Sequence, residues 1–155
     1  MERGIVIGVG NPYYGDDAIG LLVAREVHRR LPDREDWALA ELCCSAFGVV
    51  EQLEGYRRAL IVDALIDEEA APGTLVQVAV PEGCSAPRTG FHTVAFGDAM
   101  ALARTAGIPL PQRISFYGVV IRPPEGFCDK LSPELEGRIA ELATAIVEAE
   151  QDSAR

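Results

Sequence analysis

Residues 4–10 read Gly-Ile-Val-Ile-Gly-Val-Gly. A short run of β-branched residues that ends in glycine is typical of a strand buried on both faces. After the turn at 11–15, apolar residues recur over 19–31 at the spacing of one helix face, with Asp16 placed to cap the helix and Pro32 to stop it. This strand, turn and helix predict the first unit of a parallel α/β sheet.

The rest of the chain continues the alternation of strands and helices. Further strands are predicted at 37–43, 58–65, 74–80 and 113–121. The loop 66–73 is too short for a helical crossover, so the strand after it is predicted to run antiparallel to its neighbour. We find neither an internal repeat nor a low-complexity linker. The sequence therefore predicts a single domain over 1–155, a three-layer α/β/α sandwich with a mostly parallel, mixed five-stranded sheet.

Capping and stop signals place the remaining helices. Ser45 precedes a short helix whose predicted inner face carries residues 47, 50 and 53, and a third helix is predicted over 93–106. Ser132-Pro133-Glu134 opens a single last helix with a buried stripe at residues 135, 139, 142 and 146.

Composition limits the class of protein. The chain has 155 residues, of which 48% are hydrophobic, and its formal net charge is −10. An acidic surface disfavours binding to nucleic acid or to anionic membrane, since both require a basic face. Without an apolar run of membrane-spanning length or a signal-peptide cleavage site, the chain is expected to act in the cytoplasm.

The four cysteines, at positions 43, 44, 84 and 128, show no C-x-x-C spacing. We expect them to be reduced, because a cytoplasmic chain of this length needs no disulfide framework. They are predicted to be small buried hydrophobes and not metal ligands or nucleophiles.

Acidic residues follow two predicted strands. Asp16 and Asp17 lie just past the first strand, and Asp63 directly follows Leu-Ile-Val in the third. Ligands of open α/β sheets bind beyond the carboxyl ends of the strands. A carboxylate at the Asp63 position has to be paired, hydrogen-bonded or metal-bound, the alternative being a capping or turn aspartate.

The chain has two histidines. His28 lies beside two arginines near a helix end and is interpreted as a solvated surface residue. His92 lies in a Gly-Phe-His-Thr turn and is either a metal ligand or a helix-start residue. Two carboxylates and one imidazole would suit a borderline divalent ion such as nickel or zinc, with open positions for substrate or water.

Several common motifs are missing from the sequence. The dinucleotide fingerprint G-x-G-x-x-G fails at Tyr13, and Pro12 stiffens a turn that should wrap around pyrophosphate. There is no phosphate-binding loop G-x-x-x-x-G-K-[ST], no G-x-S-x-G elbow and no H-E-x-x-H helix. Nucleotide binding and serine hydrolase chemistry are therefore disfavoured.

Six segments form a pattern along the chain. In order they are Gly8-Val9-Gly10-Asn11, Gly15-Asp16-Asp17-Ala18-Ile19-Gly20, Val62-Asp63-Ala64 with Pro72-Gly73-Thr74-Leu75, His92, Tyr117-Gly118-Val119 with Pro123, and Leu131-Ser132-Pro133-Glu134. The opening G-x-G-N…G-D-D-x-x-G pattern is the most specific of these segments. Together they resemble the hydrogenase maturation endopeptidases, which trim the C-terminal tail from nickel-iron hydrogenase large subunits.

This resemblance implies a site and a reaction. It implies that Asp17, Asp63 and His92 contact the metal and that Asp16 is an adjacent cap. It also implies one cleavage near the C-terminus of an immature large subunit already loaded with nickel, so that the substrate carries the metal. Two alternatives stay open: a relative that binds the precursor without cutting it, and a different peptidase on the same scaffold, such as one resembling the spore germination protease.

Two expectations concern the surroundings of this site. Asp17, Asp63 and His92 are expected to be exposed cleft residues that contribute little to the stability of the core. Tyr13 and Tyr14 either line a peptide groove or pack against the core or its rim.

Overall fold

The computed structural model describes residues 3–43, 46–79 and 91–154, with the backbone alone described over 91–95. Ser45, Cys44 and Cys84 lie outside the described residues, and so do the interpretations placed on them.

The described residues form one five-stranded sheet. The strands are β1 (Gly4–Val9), β2 (Trp37–Leu42), β3 (Arg58–Ile66), β4 (Leu75–Val78) and β5 (Arg113–Ile121). Their order across the sheet is β2-β1-β3-β5-β4. The pairs β1–β2, β1–β3 and β3–β5 are parallel, whereas β4 runs antiparallel to β5. The mixed, mostly parallel sheet and the antiparallel strand after the short loop are confirmed.

The helices form two outer layers. They are α1 (Ile19–Arg30), α2 (Ala46–Glu51), α3 (Phe91–Thr105), α4 (Pro133–Glu136) and α5 (Ile139–Asp152). A 3₁₀ turn at Gly15–Ala18, called the acidic turn below, precedes α1. Within 3–43, 46–79 and 91–154, no helix has both the length and the apolar character needed to cross a membrane.

Successive residues of β3 point alternately into two hydrophobic cores, one on each face of the sheet. Leu60 and Val62 pack with α1 and α5 on one face of the sheet, whereas Ile61 packs with Phe96 of α3 on the other. Alternate residues of a strand point to opposite faces, so Asp63 belongs to the face covered by α2 and α3.

The prediction of one long last helix is wrong, because α4 ends before Gly137 and α5 begins at Ile139. Glycine has a low helix propensity and favours such a break. The hydroxyl of Ser132 makes no capping hydrogen bond. Leu142 and Ile146 are nevertheless buried as expected.

Three further expectations about burial and capping need correction. Asp16 does not cap α1, whose N-terminal cap residue is Ala18. Phe47 is 53% exposed, because the inner face of the short α2 is occupied by Ala46, Val49 and Val50. Cys43 and Cys128 are free, as expected, but exposed, because neither lies inside a helix or strand that a second layer covers.

Candidate functional site

Asp63 is a buried carboxylate near the C-terminal end of β3. Only 2% of its surface is exposed, and its Oδ1 accepts a hydrogen bond of 2.8 Å from the amide of Ala64. It lines a small apolar pocket with Val9, Phe96 and Phe116. Among the residues that the structure describes, the second carboxylate oxygen accepts no hydrogen bond. The expectation that Asp63 is an exposed cleft residue is therefore wrong.

Burial changes the ionisation of Asp63. Loss of solvation raises its pKa from 3.8 to about 7, and the negative charge of Asp17 acts in the same direction, while the Ala64 amide opposes both. A carboxyl group with this pKa exists in both protonation states near neutral pH. Strongly perturbed carboxyl groups of this kind are typical of functional sites.

Asp17 lies in the acidic turn, where the backbone orients its carboxylate. The amide of Asn11 donates a hydrogen bond of 2.8 Å to Asp17 Oδ2. The side chain of Asn11 is held in turn, because its Oδ1 accepts a hydrogen bond of 2.9 Å from the amide of Tyr13. The turn after β1 thus fixes one oxygen of Asp17.

Two glycines let the acidic turn approach the sheet. A Cβ atom at Gly10 would lie 2.2 Å from the carbonyl oxygen of Asp17. One at Gly20 would lie 2.3 Å from the carbonyl oxygen of Val9 and 2.8 Å from that of Val62. No side chain fits at such distances, so these glycines of the opening pattern bring Asp17 against the strand end that carries Asp63.

His92 lies in the first turn of α3, four residues before Phe96, which lines the same pocket as Asp63. Because α3 covers the face of the sheet to which Asp63 belongs, the backbone of His92 lies on the same side of the sheet as Asp63. Its side chain lies outside the described part of the chain. In the described part, no three His, Cys, Asp or Glu side chains are grouped to hold a metal ion. The clustering of His92 with the two carboxylates stays a prediction.

Asp16 has a different role from the predicted cap. Its Oδ1 accepts a hydrogen bond of 2.7 Å from the amide of Ser132, which lies 116 positions away in sequence. Sequence reasoning missed this contact, since the donor is a backbone group that carries no signal in the residue type. The hydrogen bond connects the acidic turn to the segment that leads into α4.

Two other polar residues have structural explanations. Glu150 is 4% exposed, but its carboxylate accepts hydrogen bonds of 2.7 Å from the Tyr117 hydroxyl and 3.3 Å from Arg113. His28 is half-buried, with Nε2 2.9 Å from the carbonyl oxygen of Trp37, so its interpretation as a solvated residue is wrong. Asp63 lacks this degree of pairing, and this contrast makes it the stronger candidate for chemistry.

Comparison with known proteins gives a consistent result. No family model matches the chain. The hydrogenase expression/formation protein HupD of Bradyrhizobium diazoefficiens is 26% identical over 142 residues, which cover 90% of this chain and 73% of that protein. Hydrogenase 2 maturation protease of Escherichia coli is 22% identical over 154 residues, covering 95% of this chain and 92% of that protein.

The fold agrees with these relatives. The hydrogenase maturating endopeptidase HybD from E. coli matches with a TM-score of 0.72 and 24% identity, covering 97% of this chain and 93% of that one. The chain resembles the hydrogenase maturation proteases in sequence and in fold. The resemblance that the six sequence segments indicated is thereby confirmed, and so is the α/β fold that the alternation of strands and helices predicted.

Proposed function

We propose that this protein is an endopeptidase that removes the C-terminal extension from a nickel-loaded hydrogenase large-subunit precursor in the cytoplasm. Its site consists of Asp17, Asp63 and His92. The observation that carries the proposal is the buried carboxylate of Asp63, in the C-terminal half of the central strand β3 and close enough to Asp17 to feel its charge, in a chain that resembles hydrogenase 2 maturation protease of E. coli.

The chemistry of the donors supports a metal-bearing substrate. Carboxylate oxygens and a neutral imidazole are ligands that a borderline divalent ion such as nickel accepts. Asp63 and Asp17 each have one oxygen held by a backbone amide, at 2.8 Å in both cases, which leaves the other oxygen for an incoming ion. Two carboxylates and one imidazole form an open site, so the substrate brings the nickel and the enzyme needs no permanent metal.

The raised pKa of Asp63 gives this recognition a pH dependence. A cation beside the carboxyl group favours its ionised form, so docking of the metal releases a proton from any molecule in which Asp63 is protonated. Binding of the nickel-loaded precursor should therefore strengthen as the pH rises to about 7, the pKa of Asp63 in the free protein.

Hydrolysis then requires a water molecule next to the scissile peptide bond. A metal ion held between substrate and enzyme assists such a reaction by polarising the carbonyl or by activating the water. Asp17, Asp63 and His92 orient the ion, and the backbone amides that hold the two carboxylates provide the second layer of support.

Mass spectrometry of the precursor separates cleavage from binding alone. Wild-type protein should shorten the nickel-loaded precursor by its C-terminal extension, whereas Asp17→Asn and His92→Ala should leave it at full length. Asp98→Asn, a change of the same charge at an exposed position of α3, is the matched control and should cleave normally. A precursor that binds the wild-type protein and keeps its full mass would favour a non-cleaving relative.

A further inference from the structure

The segment 122–132, called the rim segment below, lies beside the acidic turn. The two enclose an open cavity of about 490 Å³. Gly15 and Asp16 line it from the acidic turn, and Phe127, Lys130 and Ser132 line it from the rim segment. The cavity thus begins one residue from Asp17.

Three hydrogen bonds hold the rim segment against the turn. The amide of Gly15 donates a hydrogen bond of 2.8 Å to the carbonyl oxygen of Cys128. The amide of Cys128 donates one of 2.8 Å to the carbonyl oxygen of Tyr13. These backbone contacts do not depend on the residue type. The third bond, from the Ser132 amide to Asp16 Oδ1 at 2.7 Å, needs a side-chain acceptor and involves an ionisable group.

The rim segment and the turn after β1 together present aromatic surface beside the site. The rings of Tyr14 and Phe127 stack with centroids 5.2 Å apart and an interplanar angle of 21°. Phe127 remains 85% exposed and Tyr13 65% exposed. Large aromatic side chains gain free energy when a partner covers them, and exposed groups of them mark interaction sites.

We propose that the cavity and its aromatic edge form the docking surface for the precursor polypeptide next to the scissile bond, and that Asp16 is the positioning residue that holds this surface in register with Asp17. This inference rests on the proposed endopeptidase function. A polypeptide is the occupant that fits, because the surface combines stacked aromatic rings with the Lys130 ammonium and begins one residue from Asp17, part of the site proposed to act on the peptide bond.

The hydrogen bond to Asp16 can be removed from either side. Asp16→Ala deletes the acceptor, whereas Asp16→Asn keeps an oxygen that can accept from the Ser132 amide. Ser132→Pro deletes the donor, and proline fits the backbone there, because Ser132 has φ −58° and ψ 147°. If Asp16 acts by positioning the rim segment, Asp16→Ala and Ser132→Pro should have the same effect on cleavage.

Cleavage kinetics on the nickel-loaded precursor test this proposal. Asp16→Ala and Ser132→Pro should each raise KM about tenfold, the effect of losing one hydrogen bond to a charged group, and change kcat less than about twofold. The double variant should be no worse than either single variant, since both remove the same bond. Asp16→Asn should return KM to within about twofold of wild type.

The aromatic edge is tested in the same assay. Phe127→Ala should raise KM by about tenfold or less, with kcat retained, as expected for loss of one aromatic contact. Leu102→Ala removes an apolar side chain of α3 that is 57% exposed, and Asp98→Ala removes an exposed carboxylate there, so both serve as controls with wild-type KM.

Unchanged KM in Asp16→Ala and Ser132→Pro would overturn the proposal. So would a loss of kcat in Asp16→Asn, since Asp16 would then take part in the chemistry. Direct binding of the precursor to each variant, measured by biolayer interferometry, distinguishes failure of the endopeptidase function from failure of the docking surface. Wild-type protein that binds but does not cleave refutes only the endopeptidase function, whereas equal binding by wild type, Asp16→Ala and Phe127→Ala refutes the docking surface.

Discussion

Replacing Asp63 with asparagine should make the protein more stable at alkaline pH. The folded protein binds the Asp63 proton more tightly than the unfolded chain does, because burial raises the pKa from 3.8 to about 7. The contribution of Asp63 to the free energy of unfolding is therefore fully present below pH 4, falls as the pH rises to about 7, and stays low above that value. Asparagine cannot ionise, so the variant lacks this loss.

The two pKa values set the magnitude of the effect. Their difference corresponds to about 4 kcal/mol of unfolding free energy that the wild-type protein loses between acid and alkaline pH. The Ala64 amide can still donate to the amide oxygen of the asparagine, so the variant keeps the hydrogen bond of the native side chain. The free energy of unfolding of Asp63→Asn minus that of wild type should rise by about 4 kcal/mol from pH 4 to pH 8.5.

Urea denaturation at a series of pH values measures this difference, with a chelator present so that no stray cation neutralises the carboxylate. Asp98→Asn, in which an exposed carboxylate of α3 is replaced, should give a difference that barely changes with pH. If the curves of wild type and Asp63→Asn run parallel from pH 4 to pH 8.5, Asp63 is not a buried group that resists ionisation, and the reasoning is wrong.

Three further perturbations follow from the packing. Gly20→Ala should lower the free energy of unfolding by about 3 kcal/mol, because its Cβ would meet backbone oxygens at 2.3 and 2.8 Å, whereas Gly137→Ala, whose nearest atom would be 3.8 Å away, should change it little. Tyr117→Phe should cost about 2 kcal/mol in urea denaturation, since one oxygen of the buried Glu150 loses its donor, and a change too small to measure would contradict this. Cys43 is exposed and should react with a thiol reagent in the folded protein, and labelling that waits for unfolding would show that it is buried.

The fold was largely predictable, because apolar or β-branched runs indicate the strands and glycine or proline marks most of the turns between the elements. The strand 113–121 was predicted with its observed bounds, and the short loop 66–73 indicated the antiparallel strand that β4 forms. The break at Gly137 was missed because the apolar spacing on either side of it suits one continuous helix.

The candidate site was predictable only in part. The position of Asp63 after an apolar run indicated a carboxylate with a special environment, and the structure gives it one. Its depth of burial was not predictable, since that depends on Phe96 and Phe116, which come from elements distant in sequence. The contact between Asp16 and Ser132 joins residues 116 positions apart, and local patterns carry no information about such a pair.

Cleavage of the large-subunit precursor with and without nickel tests the proposed function most directly. The protein should purify largely free of metal, shorten the nickel-loaded precursor on a gel, and leave the nickel-free precursor intact. With Asp17→Asn, the nickel-loaded precursor should stay at full length on the gel. Equal trimming of both precursors, or a stoichiometric metal ion in the purified protein whose removal by a chelator stops the reaction, would contradict a substrate-borne metal and indicate an ordinary metallopeptidase.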